Sequence, residues 1–370
     1  MVGKRQYGRP SAPLRDPVAR LLRQPLTVSI KFAEIQDRVR IDGYVACSNT
    51  ANLYHDYRWG EVIGRCFGHK YHFLLSENFD GAINGLLPLV HMKSWSFGNF
   101  IVSMPFFNYG GVCADDDSVR DHLIAEAVRI AKDLKVQHIE FRQEKSLQNG
   151  FPEKTIKVSM RLDLPCSPDE LWKSFPSKLR SQIKVPQKGG MIARIGRLEE
   201  LENFYEVFSH NMRYLGTPVY PKQFFRNVLE EFPSNTWICS VYMRDIPVAS
   251  GFLAGFKNRL EIPWASSVRS FNRLSPNMLL YWSCLKFACE KGYTTFDFGR
   301  STKEESTYKF KEQWGATPNP MVWSYWVRDE GNIPDITPRN RKYHLAIGIW
   351  KRLPVPVTQM LGPRIIKNIP

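Results

Sequence analysis

The chain is predicted to be an α/β (α+β) protein built as two like lobes in tandem, each a mixed sheet flanked by helices. Three observations predict this. Along the 370 residues the apolar positions switch repeatedly between a spacing of two and a spacing near 3.6, the marks of strands and amphipathic helices. The same order of parts occurs twice: helix, hairpin, strand with a small-residue end, helix, strand. Ala131 precedes Glu140 of HIEFR by nine residues, and Ala288 precedes Asp297 of FDFGR by nine. An ordered repeat of this length implies two copies of one unit packed side by side.

Composition narrows the class. With 43% hydrophobic and 13% aromatic residues the chain can bury a large core, which excludes a wholly disordered protein. No apolar run reaches the ~18 residues of a membrane span. The basic, proline-dotted start lacks the apolar centre of a secretory signal. Seven cysteines form no C-x-x-C pair, and reduced thiols in a cytosolic protein are expected. His69 and His72 lie three apart on an expected strand and point to opposite faces, so no metal site is expected there.

The net charge of +15 is unevenly placed. Residues 1–25 carry six cations against one acid, and residues 331–370 carry seven against one. Basic tails on a nearly neutral body fit an anionic partner surface, lipid headgroups or RNA; tails that merely keep the protein soluble fit equally.

Taken in order, residues 1–25 form a flexible arm, because Pro10, Pro13, Pro17 and Pro25 prevent a long helix. The first lobe spans 26–150. LTVSIKF alternates as a strand, and Asn52–Phe67 has apolar residues at helical spacing, carrying His55, Asp56 and Trp59. YHFLLS and AINGLLPLV flank the Asp80-Gly81 turn as a hairpin. FGNFIVSMPFFNYGGV reads as a strand ending in a glycine pair, Val119–Leu134 as an amphipathic helix and VQHIEFR as the next strand. The polar, Gly- and Pro-broken stretch 144–157 marks the lobe boundary.

The second lobe spans 151–330. KVSMRLDL is a strand, and Ser167-Pro168-Asp169-Glu170 is a capping box with proline at the first helical position. SKLRSQIK continues as a basic helix. Leu198–Leu215 is amphipathic and stops at Gly216, and Pro221–Phe232 is a second helix. NTWICSVYM, PVASGFLAGF and RLEIPWASS are strands joined by turns. Ser275 and Pro276 start a helix that ends at Gly292. A basic C-terminal tail, 331–370, closes the chain.

FDFGRSTKEESTYKFKEQWG carries the strongest functional pattern. The strand ends at Gly299, and Arg300, Ser301, Tyr308, Lys309 and Lys311 follow within about a dozen positions, where sheet loops gather function. An acid inside the strand, Asp297, is unexpected unless a partner or a task holds it. Two readings of it stand: a proton acceptor that also orients Arg300, or a structural carboxylate capping the amides of Gly299–Ser301. Arg300 and Lys309 suit phosphate recognition, or form a solvated charge cluster.

These segments resemble the GNAT acyltransferase fold taken twice, and in particular the FemA/FemB-like family and its subgroup associated with PEP-CTERM and exosortase systems. The resemblance rests on HDYRWGEVIGRCFGH, GLLPLVHMKSWSFGNFIVSMPFFNYGG, SKLRSQIK, NMRYLGTPVY, EIPWASS, PNMLLYW, FDFGRS and YKFKEQWGA, across roughly 45–326. It implies transfer of an acyl or aminoacyl group from an activated donor, aminoacyl-tRNA or acyl-CoA, to an amine of a cell-envelope or exopolysaccharide precursor. No tightly bound cofactor is implied. Lys311 matches the lysine of the family's FK motif, which implies a cation at the donor carbonyl or a nearby phosphate, while a surface lysine on a helix remains the alternative.

Other residues are placed on the same basis. Tyr308 and Trp264 wall an acceptor channel, with Trp264 equally suited to the core. Lys178 and Arg180 hold a lipid-linked pyrophosphate, and Thr217 and Tyr220 line the cleft. Asn108 and Tyr109 stand in the first lobe where Ser266 and Ser267 stand in the second, at the point where strands splay in this fold. The first lobe is expected to meet acceptor and the second donor.

Two departures weigh on the donor. The loop SSVRSFNRLSPN lacks the glycines with which ordinary acetyl-CoA transferases of this fold hold pyrophosphate. The two-helix arm of some Fem proteins is missing too, since no stretch shows three apolar heptads. The expected location is cytoplasmic, with YHLAIGIWK and PVTQMLGPRIIK as an interfacial segment on the inner membrane leaflet or as a helix capping the second lobe. Two further functions stand as alternatives: a non-catalytic duplicated fold that binds RNA or polysaccharide, and a plain acyl-CoA N-acetyltransferase.

Overall fold

A computed structural model describes residues 28–328 and 341–370; the basic arm 1–25 lies outside them. The first lobe runs β1 (Ser29–Phe32), α1 (Arg38–Cys47), α2 (Arg58–Phe67), β2 (Lys70–Glu77), β3 (Ile83–Ser94), β4 (Gly98–Val102), β5 (Cys113–Ala114), α3 (Asp117–Asp133), β6 (His138–Gln143) and β7 (Glu153–Lys154). The second runs β8 (Lys157–Asp163), α4 (Pro168–Ser174), α5 (Ser177–Lys188), β9 (Met191–Gly196), α6 (Leu201–Leu215), α7 (Lys222–Glu231), β10 (Thr236–Met243), β11 (Ile246–Phe256), β12 (Arg259–Ser267), α8 (Pro276–Glu290), β13 (Thr295–Thr302), α9 (Ser306–Glu312) and β14 (Thr317–Pro320). Then follow β15 (Val322–Val327), α10 (Arg341–Trp350) and α11 (Val355–Ile366).

Two mixed sheets result, ordered β1-β2-β3-β4-β6-β15-β7, with β5 on β3, and β14-β8-β13-β12-β11-β10-β9. Each has one parallel pair, β4/β6 in the first and β12/β13 in the second. The repeat is visible in backbone detail. The amide of Val136 donates to Ala131 at 3.0 Å, and the amide of Tyr293 donates to Ala288 at 3.0 Å, closing α3 and α8 alike.

The outer edge of β13 is covered by β8, the first strand of the second lobe, whereas β15 follows the second lobe and returns to cover the outer edge of β6. An uncovered strand edge invites pairing, and here the first sheet is closed by chain from beyond the second lobe. β7 and β15 thus lie beyond residue 150 yet add to the first sheet. Between the sheets an aromatic core draws Trp59 and Phe107 from the first lobe and Phe204, Phe224, Phe225 and Phe252 from the second.

Some local expectations are corrected. The single helix over 52–67 is two pieces: a 3-10 turn at Leu53–His55, then α2. The Asn52 side chain accepts from the Tyr54 amide at 3.0 Å and His55 Nδ1 accepts from the Asn52 amide at 3.0 Å, closing the turn on itself. Asp56 then accepts from the Arg58 amide at 3.0 Å and opens the new helix, so His55 and Asp56 do not share a helix with Trp59. The long strand from Phe97 stops at Val102, and the chain leaves the sheet through Ser103–Val112. His69 precedes β2 rather than lying on it. Ser275 stands before α8 with φ +58 and makes no side-chain cap bond.

Candidate active site between the lobes

The site begins with a bulge in β13. Pairing with β8 jumps from Asp297↔Arg161 to Arg300↔Ser159, so Phe298 and Gly299 oppose one residue. Gly299 sits at φ +76, the left-handed region that a bulge of this kind requires and glycine enters without strain. Its carbonyl and that of Arg300 both accept hydrogen bonds from Lys311 Nζ on α9, at 2.9 and 3.0 Å.

Lys311 is 7% exposed. Burial pulls its pKa down to about 8, with the negative charge of Asp297 opposing and the positive charge of Arg300 assisting. An ammonium carries three donors, and the two carbonyls use two of them.

Asp297 is fully buried. Its carboxylate accepts from the Gly299 amide at 2.8 Å, from Tyr109 Oη at 2.9 Å, from Arg161 Nε at 3.3 Å and from the Ser159 hydroxyl. Arg161 also donates to Tyr109 Oη at 3.1 Å and pairs with Glu144 at 2.8 Å, and Arg259 reaches the same Glu144 at 3.0 Å. The chain of partners crosses from one lobe to the other.

Directly opposite Asp297 in the β12/β13 register stands Glu261. Burial, and then the charge of Asp297, raise its pKa well above the usual carboxylate range. The Tyr54 hydroxyl donates to one of its oxygens. A buried carboxyl perturbed by a neighbouring charge is a feature of functional sites. Glu261 lines a cavity of about 670 Å³ bounded by both lobes, with Asn52, Tyr54, Tyr109, Glu144 and Arg259 among its walls. That volume suits a small ligand.

The residues singled out in the sequence divide into two groups. Lys311, Asp297, Tyr109 and Asn108 come together: a Cβ built on Gly299 would stand 4.0 Å from Asn108 Nδ2, and the Asn108 carbonyl accepts from Trp323 Nε1 at 3.4 Å. Arg300 is exposed and lies 5.3 Å from the centre of the Trp323 ring. Ser301 is buried and its hydroxyl has no partner.

The others lie apart. Ser266 accepts from Asn211 at 3.0 Å. Trp264 and Tyr220 belong to the aromatic core, Trp264 5.2 Å from Phe225 and 5.9 Å from Tyr220. Tyr308 packs on the second-lobe core beneath α8 rather than on a channel. Thr217 is half-buried at the α6 stop, its amide bonded to Met212. Lys309 and Lys178 are exposed, and no hydrogen bond or ion pair links Lys178 or Arg180 to Lys311 or Asp297.

Sequence reasoning missed Glu261, Tyr54, Arg161 and Glu144. Glu261 carried the same signal as Asp297, an acid inside an apolar strand, in RLEIPW. His55 is structural: burial pushes it down to about 4, and both ring nitrogens are engaged, with Asn52 and with the Gly111 carbonyl at 2.8 Å. Among the described residues no cluster of three His, Cys, Asp or Glu is arranged to hold a metal.

The loop before α8 fits CoA pyrophosphate poorly. The Phe271 and Ser275 amides are spent on the Val268 and Asn272 carbonyls at 3.0 Å each, and Pro276 has no amide to give. At the corresponding end of α3 stand Asp115, Asp116 and Asp117, with Asp116 already capping Val119 at 2.8 Å. Three carboxylates at a helix N-terminus repel a phosphate rather than collect one.

Residues 174–312 match the profile of the acetyltransferase (GNAT) domain. No curated protein sequence matches the chain. Among solved structures, FemX superposes with a TM-score of 0.62 at 17% identity, over 82% of this chain and 98% of FemX. L-PGS from Bacillus licheniformis superposes at 0.52 and 13%, over 89% and 99%. A conserved protein of unknown function from Bacteroides thetaiotaomicron does so at 0.54 and 10%, over 81% and 100%. The chain is therefore a tandem of two GNAT-like lobes, and its second lobe is similar in sequence to the acetyltransferase (GNAT) domain.

Proposed function

We propose that the protein is an N-acyltransferase that moves an acyl or aminoacyl group from an activated ester or thioester to an amine on an envelope or exopolysaccharide precursor. The observation that carries this reading is the buried Lys311 ammonium, held by two carbonyls at the end of β12/β13 pairing with one hydrogen uncommitted. Attack of the amine on the donor carbonyl forms a C–N bond and a tetrahedral oxyanion. The third Lys311 donor stabilises that oxyanion in a site that water does not screen. The attacking amine passes its proton to Asp297 by way of Tyr109, and collapse breaks the bond to the leaving oxygen or sulfur, which takes that same proton back and departs with it.

Glu261, whose pKa burial and the Asp297 charge raise, lines the cavity that receives the acceptor. Aminoacyl-tRNA and acyl-CoA are the two donor classes, and the spent loop amides and the acids at α3 favour a donor not held by pyrophosphate in the usual place. The likeness to FemX, whose fold this chain shares, supports the same reading. Cytoplasmic action on a precursor at the inner membrane face follows from it.

The test supplies purified protein with labelled acetyl-CoA or labelled aminoacyl-tRNA and a panel of amino-bearing envelope precursors. Transfer from either donor, lost by two to three decades in Lys311→Met with acceptor binding intact, is the expected result. Acceptor binding without turnover in wild type would make the protein a non-catalytic binder instead.

A further inference from the structure

We propose that the C-terminal helices form a docking surface for an anionic lipid bilayer. Residues 341–370 contain Arg341, Lys342, Lys351, Arg352, Arg364 and Lys367 and no Asp or Glu. α10 is two-faced. Trp350 is buried, and Ile347 packs close on Gly216 at the end of α6, where an added Cβ would come within 2.5 Å of it. On the outward side Leu345 is 77% exposed and Ile349 55%; four residues apart, they form one stripe.

On α6, which α10 covers at Gly216 through Ile347 and Lys351, Tyr214 and Leu215 are also exposed. Arg269 stacks on Tyr214 at 4.3 Å, which adds a cation at the edge of the patch. The patch is anchored rather than frayed: Arg213 Nε donates to the Leu353 carbonyl at 2.7 Å, and Ile366 of α11 enters the central aromatic core. An apolar stripe flanked by Lys and Arg, with acids excluded, is the pattern by which a helix lies in the headgroup region of an anionic membrane.

Charge decides between occupants. Isologous pairing of two copies would set the same cations against each other, so a second copy is disfavoured. RNA would use the cations but leave the Leu345–Ile349 stripe in water. A bilayer satisfies both. The inference stands apart from the acyl-transfer reading, because its measurement is binding and not turnover.

The test is co-sedimentation of the full chain with vesicles of phosphatidylcholine alone and of phosphatidylcholine mixed with phosphatidylglycerol. Binding to the mixed vesicles only, weakening as salt rises, is expected. Leu345→Glu with Ile349→Glu should abolish it. Lys351→Ala with Arg352→Ala should weaken it roughly 25-fold, about fivefold per cation. Both double variants alter exposed side chains, and unchanged thermal melting would show that they fold. Equal sedimentation of wild type and variants, or none of wild type with either vesicle, would overturn the proposal. So would a dimer in wild type that the Leu345/Ile349 variant dissolves, or RNA retardation lost with Lys351 and Arg352 while vesicles leave the protein in solution.

Discussion

Lys311 offers a test in which stability and activity move in opposite directions with pH. Its pKa falls from an ordinary 10.5 to about 8 in the folded chain. At about 1.36 kcal/mol per pH unit, that fall corresponds to roughly 3 kcal/mol. Between pH 8 and 10.5 the unfolded chain binds the proton that the folded chain has released, so stability rises with pH across this window. Below pH 8 both states carry the proton and the full cost of burying the charge is present. Catalysis that uses the cation should instead fall about tenfold per unit once pH passes 8. The assay is urea unfolding of wild type and Lys311→Met from pH 7 to 10.5, because subtraction removes every other titrating group. The wild-type curve should gain about 3 kcal/mol on the variant curve. A difference that stays flat would mean that the ammonium is solvated, and the site built on it would fall with it.

Three further variants probe the neighbours. Asp297→Asn removes a charged acceptor from Arg161, which keeps Glu144, and should cost about 1–3 kcal/mol in urea unfolding; it should also lower the titration point of Glu261, readable as a carboxyl band shift in difference infrared spectra. Gly299→Ala forces a side chain into φ +76 at about 1–2 kcal/mol, and sets a methyl 3.5 Å from the Ile262 carbonyl at the strand ends; the fall in kcat/KM should exceed that stability loss. Tyr54→Phe removes the donor to Glu261 and should cost about 1–3 kcal/mol in urea unfolding, while a variant as stable as wild type would show that the hydroxyl is dispensable.

Much of the fold was legible because it is written in local periodicity. α3 and α6 followed from apolar spacing and caps, and the Ala131/Ala288 correspondence reappears as matched helix-closing bonds. What escaped was non-local. Nothing in VWSYWV says that it returns to the first sheet, since any uncovered edge would accept such a strand. In the site, Asp297 was marked by residue type in context, an acid in a strand, and Lys311 by its match to the FK motif of the resembling family. Arg161 and Glu144 look like surface charges in their own segments, and only register and lobe packing bury them. For Lys178 and Tyr308, basic or aromatic character near a motif says nothing about the direction of a side chain.

The two copies of the unit can be compared at their central acids. Glu140 occupies in the first sheet the place of Asp297 in the second, at the last parallel pair: Val102↔Glu140 there, Glu261↔Asp297 here. Each acid is held by a tyrosine hydroxyl and an arginine, Glu140 by Tyr325 at 2.8 Å and Arg142 at 2.7 Å. The difference lies in what fills the space past the pair. In the first lobe Arg142 is 2% exposed and donates to the Met104 and Phe107 carbonyls, while its amide donates to Ser103. The chain's own guanidinium fills that space, with its Nε and Nη1 donors engaged. In the second lobe Gly299 takes the place of Arg142 two residues past the acid, and the carbonyls of Gly299 and Arg300 accept instead from Lys311 on a separate helix.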